Sequence, residues 1–169
     1  MSDEKKLVLQ SAIWDLHIHT CQCPKASSEF KKLSVNEYID KLIELFKNYP
    51  SLEMISFTDH NIISIDVYKQ FYSKKTNIKL IPGIEIDINL DSSPDVKHLI
   101  VYFNLNEKNF ESFANSLNKF LKGKTPIKIE KLLNYLVEQK IEFVLSPHAF
   151  KQDERGIDSD WTAPEIVNE

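Results

Sequence analysis

The sequence has little cysteine. There are two in 169 residues, Cys21 and Cys23, within the stretch TCQCPK. Separated by a single residue, they cannot readily bond to each other, so no disulfide framework is implied. Positive charge is not in excess either: 21 Lys and Arg stand against 25 Asp and Glu, for a net charge of −4. That balance argues against a basic surface that coats nucleic acid. Nucleic acid stays open as a substrate, because metal ions can neutralise phosphate. No apolar run approaches the roughly 18 residues of a membrane span. The charged start MSDEKKLVLQ lacks the apolar core of a signal peptide. Internal repeats and low-complexity segments are also missing. These absences point to a cytoplasmic protein of a reducing compartment, with no membrane partner. An apolar content of 42% and a charged content of 27% are ordinary for a globular chain, and the length suits one domain with one core.

What the chain does contain alternates in type. AIWDLHI reads as a first strand, and the small, polar, proline-bearing CQCPKASSEFKK as a loop. SVNEYIDKLIELFKNYP carries Val35, Tyr38, Ile39, Leu42, Ile43 and Phe46 at helical intervals. Ser34 and Glu37 have the spacing of a capping box, and Pro50 closes the segment. Further strands are expected at MISFTD, IKLIPGIEIDINL, HLIVYF and IEFVLSPH. Helices are expected over IISIDVYKQFYSK, EKNFESFANSLNKFL (Phe110, Phe113, Leu117 and Phe120 on one face) and PIKIEKLLNYLVEQK. Strands alternating with helices indicate an α/β architecture with largely parallel strands. The expected organisation is an N-terminal lead over 1–11, a metal-binding domain over 12–150 and a polar tail or linker over 151–169.

The five histidines carry the chemistry. In WDLHIHT, His17 and His19 are two apart, and strand residues i and i+2 share a face. His60 follows MISFTD and His148 follows FVLSP, whereas His98 opens HLIVYF. The remaining strand carries Glu85 in PGIEID. C-terminal strand ends form the functional face of parallel α/β folds. Neutral imidazole and carboxylate are ligands for zinc, manganese or iron, and a glutamate can bridge two ions. Each residue also has a plainer account. Asp59 could cap the next helix, Glu85 could alternate outward, and His98 and His148 could be satisfied by backbone. The joint pattern favours one metal site.

DLHIHT at 15–20, FTDHN at 57–61, PGIEI at 82–86, HLIVYF at 98–103 and SPH at 146–148 resemble, in order, the motifs of the PHP (polymerase and histidinol phosphatase) superfamily. The resemblance implies a distorted (β/α)7 TIM-like barrel, incomplete at its C-terminus, with two or three divalent ions (zinc, manganese or iron). Carried over by position, His17 and His19 bind a first ion and Glu85 bridges to a second completed by His98 and His148. His60 serves a third. Glu85 and Asp59 become the catalytic candidates, and Asp15 and Asp59 the carboxylates able to orient imidazoles. The implied activity is hydrolysis of a phosphomonoester or a nucleic-acid phosphodiester by metal-bound hydroxide. WDLHIHT and HLIVYF also resemble modules at the N-terminus of ATPase-linked proteins, which implies a fused or partner ATPase domain.

The chain departs from that pattern twice. Lys25 stands where members often carry another ligand; it would contact a substrate phosphate or be an exposed loop lysine. Cys21 or Cys23 could act as a soft ligand, though surface thiols are the expectation. The family's late Asp-x-His is missing, since no histidine follows His148. Asp158 and Asp160 have the spacing but follow too soon, and are read as solvated tail charges. The barrel is then short of about two strands, which suggests either part of a longer protein or a site closed by homo-oligomerisation. The alternative function is a catalytically silent metal-binding module with an assembly or regulatory role. A third reading is metal-free folding, with the histidines as core or surface groups.

Overall fold

A computed structural model describes residues 12–90 and 95–148. The lead expected over 1–11 and the tail over 151–169, with Asp158 and Asp160, lie outside the described residues. The elements run β1 (Ile13–Ile18), α1 (Val35–Phe46), β2 (Leu52–Phe57), α2 (Ile65–Ser73), β3 (Lys79–Asn89), β4 (Val96–Phe103), α3 (Glu107–Leu121), β5 (Ile127–Lys128), α4 (Ile129–Glu138) and β6 (Phe143–Pro147). The capping box heads α1: Ser34 Oγ accepts from Glu37 N at 3.3 Å, and Glu37 Oε2 accepts from Ser34 N at 2.8 Å. The two-residue β5, too short to leave a periodic signal, is the strand the sequence pattern does not reveal.

The expected barrel is not what forms. The strands make an open, mixed, six-stranded sheet in the order β1-β2-β3-β4-β6, with β5 paired to β3. β1, β2 and β3 are parallel, but β4 is antiparallel to both β3 and β6. A (β/α)-type barrel needs parallel strands joined by crossover helices and staggered until the last pairs with the first. Here no helix separates β3 from β4, and no pairing joins β1 to β6 among the described residues. Across the sheet, Tyr102 on β4 donates its hydroxyl to the carbonyl of Leu16 on β1 at 3.0 Å.

That topology explains an oddity in the sequence. Because β4 runs antiparallel, its first residues lie beside the C-terminal ends of β1, β2 and β3. His98 therefore reaches the same end of the sheet by opening its strand. β6, antiparallel to β4, runs with β3 and ends at that same edge. On β3, Ile84, Ile86 and Ile88 enter the core with Ile55, Phe57, Phe71 and Leu117. Strand alternation then puts Glu85 and Asp87 on the opposite face.

The β2–β3 ladder ends at Phe57 and Pro82, since proline has no N–H to continue it. The buried Tyr68 hydroxyl takes over there, donating to Phe57 O at 2.6 Å and accepting from Gly83 N at 2.9 Å. Gly83 must lack a side chain, because a Cβ would stand 2.4 Å from Ser56 Oγ. Tyr68→Phe strips both backbone groups of this buried partner and should lower stability by about 1–3 kcal/mol. Urea unfolding of the variant checks this; an unchanged midpoint would contradict the bridging role.

Candidate metal centre

Glu85 is 1% exposed in the middle of an isoleucine-rich strand. A buried carboxylate is costly unless it is paired, so its surroundings decide the site. Oε2 faces three imidazole nitrogens: His19 Nε2 at 3.2 Å, His60 Nε2 at 3.2 Å and His17 Nε2 at 3.7 Å. Oε1 faces His98 Nδ1 at 2.6 Å. The His148 ring lies 5.0 Å from that of His17 and 5.7 Å from that of His98, centroid to centroid. The five histidines come from β1 and the turn after it, the ends of β2 and β6, and the start of β4.

Four of the rings point one nitrogen at Glu85 and turn the other outward. His17 Nδ1 is 3.0 Å from Thr58 Oγ1, and His19 Nδ1 is 3.7 Å from Cys23 Sγ. His98 Nε2 and His60 Nδ1 both face Asp87 Oδ1, at 3.2 and 3.7 Å. Asp87 also lies 3.2 Å from Lys25 Nζ. The sequence reading missed Asp87 and Thr58. The signal for Asp87 was present, because Glu85 and Asp87 are two apart on one strand, as His17 and His19 are.

Other expected residues sit differently. Asp59 touches no imidazole of the cluster through a hydrogen bond. Its Oδ1 accepts from Thr20 N at 2.6 Å, and its Oδ2 accepts from Thr20 Oγ1 at 2.5 Å and from Ser64 Oγ. It thereby ties the turn after β1 to the segment entering α2. Asp15 is exposed and accepts only the backbone N–H of His17, at 3.4 Å, among its described hydrogen bonds. Lys25 is 39% exposed and turned onto Asp87. Both thiols, expected at the surface, are buried because the loop folds back over the end of β1; Cys23 is 1% exposed. A separate cavity of about 440 Å³ opens at the opposite end of the sheet, lined by Leu80, Pro82, Tyr102, Phe143 and Val144, and contains none of these groups.

Burial alone would raise the pKa of Glu85, but the facing imidazoles of His19, His98 and His60 hold it well below the carboxylate range. Asp87 is likewise held low, against burial, chiefly by His60 and His98. His19 is pushed up to about 10 by Cys23 and then Glu85, and His98 to about 9 by Asp87 and Glu85. Burial lowers His17 to about 4.

The donors fit a divalent ion. Glu85 Oε2 is buried with three imidazole nitrogens around it, yet forms no hydrogen bond. Ligand atoms of His17, His19 and Glu85 lie within 4.8 Å of one another, as do those of Glu85, His98 and His148. Histidine nitrogen with carboxylate oxygen suits zinc, manganese and iron. The group of His19, Cys23 and Asp59 is equally close, but Thr20 and Ser64 already occupy the Asp59 oxygens.

No protein-family model matches the chain, and no curated protein does. Among solved structures, an amidohydrolase from Chromobacterium violaceum, with bound sulfate and no metal, aligns with a TM-score of 0.39 and 17% identity. The alignment covers 61% of this chain and 32% of that one, so the chain spans about a third of the neighbour's length. A likeness this low transfers neither fold nor activity. No described helix is long and apolar enough to cross a membrane.

In the metal-free protein, His19 and His98 hold protons at pH 7, because their pKa values lie near 10 and 9. An ion must displace those protons. Affinity for Zn²⁺ or Mn²⁺ should therefore fall toward pH 6 and climb as the pH approaches 9. Calorimetry in two buffers of different ionisation enthalpy should show net proton release at pH 7; proton-neutral binding would contradict it.

Proposed function

We propose that the chain is a metal-dependent phosphoesterase using a PHP-like motif set, with Glu85 as the carboxylate shared by two divalent ions. The observation that supports this most is that both oxygens of one buried carboxylate face imidazole nitrogens, drawn from three separate parts of the fold. His17 and His19 would hold one ion with Glu85 Oε2, and His98 and His148 the other with Oε1. His60 adds a nitrogen on the Oε2 side. Such ions supply Lewis acidity, which lowers the pKa of water and neutralises charge on phosphoryl oxygens.

The chain's own residues orient and admit the substrate. The side chains of His17 and His19 are 31% and 34% exposed, whereas those of His60 and His98 are 9% and 6% exposed. A phosphoryl group therefore enters on the His17/His19 side. Thr58 fixes the ring of His17. Asp59 serves by position, holding Thr20 and Ser64 so that His19 and His60 meet at Glu85.

The test is turnover of a generic phosphomonoester and a generic phosphodiester by the Mn²⁺-loaded chain and by Glu85→Gln. The wild type should hold about two ions per chain, with Glu85 bridging them. The variant should lose most of its metal, and its turnover should fall by more than the ~100-fold that loss of an outer partner causes. Ions without turnover on either ester would indicate the silent, regulatory module instead. No ions would make the histidines core and surface groups.

A further inference from the structure

We propose that Asp87 is the positioning residue of this centre: its Oδ1 takes the outer N–H of both His98 and His60, so that each ring presents its other nitrogen to Glu85. The inference rests on the two-ion reading above and adds a residue that this reading leaves unused. A metal-ligating imidazole usually donates its second N–H to a carboxylate or carbonyl, which fixes both the tautomer and the ring plane. His98 Nε2 and His60 Nδ1 are buried without a formed hydrogen bond, yet both face Asp87 Oδ1, at 3.2 and 3.7 Å. One carboxylate oxygen thus stands behind two of the rings.

The same three residues lie close enough to hold an ion themselves, but two observations weigh against that use. Lys25 Nζ is 3.2 Å from the same Asp87 oxygen, so a cation bound there would meet an ammonium. His98 Nδ1 already faces Glu85 Oε1 at 2.6 Å, so metal at both of its nitrogens would require an imidazole stripped of both protons. The histidine protons, not a further ion, are what Asp87 is placed to receive.

A dedicated residue holds Asp87 in place. Asn61 has a φ of 59°, in the left-handed region that Asn tolerates better than most residues. Its side chain spans the acid, with Oδ1 accepting from Asp87 N at 2.8 Å and Nδ2 donating to Asp87 Oδ2 at 2.9 Å. The Oδ2 oxygen is thereby occupied, which leaves Oδ1 for the two imidazoles and Lys25.

The experiment is a competitive Zn²⁺ titration of the wild type, Asp87→Asn and Asp87→Ala, with nitrogen NMR of the histidine rings in the zinc-loaded chains. Asp87→Asn keeps the shape and the backbone contact to Asn61, so the metal-free chain should remain folded at the temperature of the titration, which circular dichroism checks. The zinc ion on the His98–His148 side should weaken by ~10–100-fold, and the one on the His17–His19 side, which Asp87 reaches only through the more distant His60, by a smaller factor. Asp87→Ala should weaken the first at least as much. In the wild type, the ring protons should sit on His98 Nε2 and His60 Nδ1. Equal loss at both ions, no loss at either, or a proton on His98 Nδ1 would overturn the role of Asp87. Absence of zinc from the wild type would instead overturn the two-ion reading, and this inference with it.

Discussion

The molecule is organised around a buried carboxylate. Glu85 sits in a strand that sends the fully buried Ile84, Ile86 and Ile88 into the core, and its partners on the other face of the sheet are imidazoles. A carboxylate in that position is tolerable only with cationic or donor groups on both oxygens. His19 and His98 meet that need as imidazolium in the metal-free chain, and the histidines would meet it as ligands when an ion is bound. His19 is pushed upward by Cys23 and then Glu85, and His98 by Asp87 and then Glu85, while half-buried His17 is pushed down by burial.

Topology delivers those groups to one place. Three parallel strands bring the ends of β1, β2 and β3 together, and the β3–β4 hairpin returns His98 to the same edge. β6 then carries His148 alongside. Supporting contacts come from small polar groups just beyond the strand ends. Asp59 gathers Thr20 and Ser64, Asn61 grips Asp87, and Tyr68 carries the backbone pairing past Pro82.

Much of the site was legible in the sequence, because a two-residue alternation is a geometric statement. HxH in a strand puts both rings on one face, and the structure brings His17 and His19 to the same oxygen of Glu85. The α1 capping box was readable for the same reason: Ser and Glu three apart satisfy each other's orphan donors locally. The barrel was not legible. It came from likeness to a family rather than from the residues, and the antiparallel course of β4 breaks it. One residue had hinted at this, since a histidine that opens its strand while the others close theirs implies reversed direction. Asp87 was overlooked because IEIDI reads as a strand whether or not its acids converge. The burial of Cys21 and Cys23 follows from a loop folding back, which local composition does not encode.

The claim that everything else leans on is that Glu85 shares two ions between its oxygens. Anomalous X-ray scattering from crystals of the chain grown with Mn²⁺ tests it directly. The account predicts two peaks, one at Oε2 among His17 and His19, the other at Oε1 with His98 and His148. A map with no peak at Glu85, or with its metal among His60, Asp87 and His98, would contradict it.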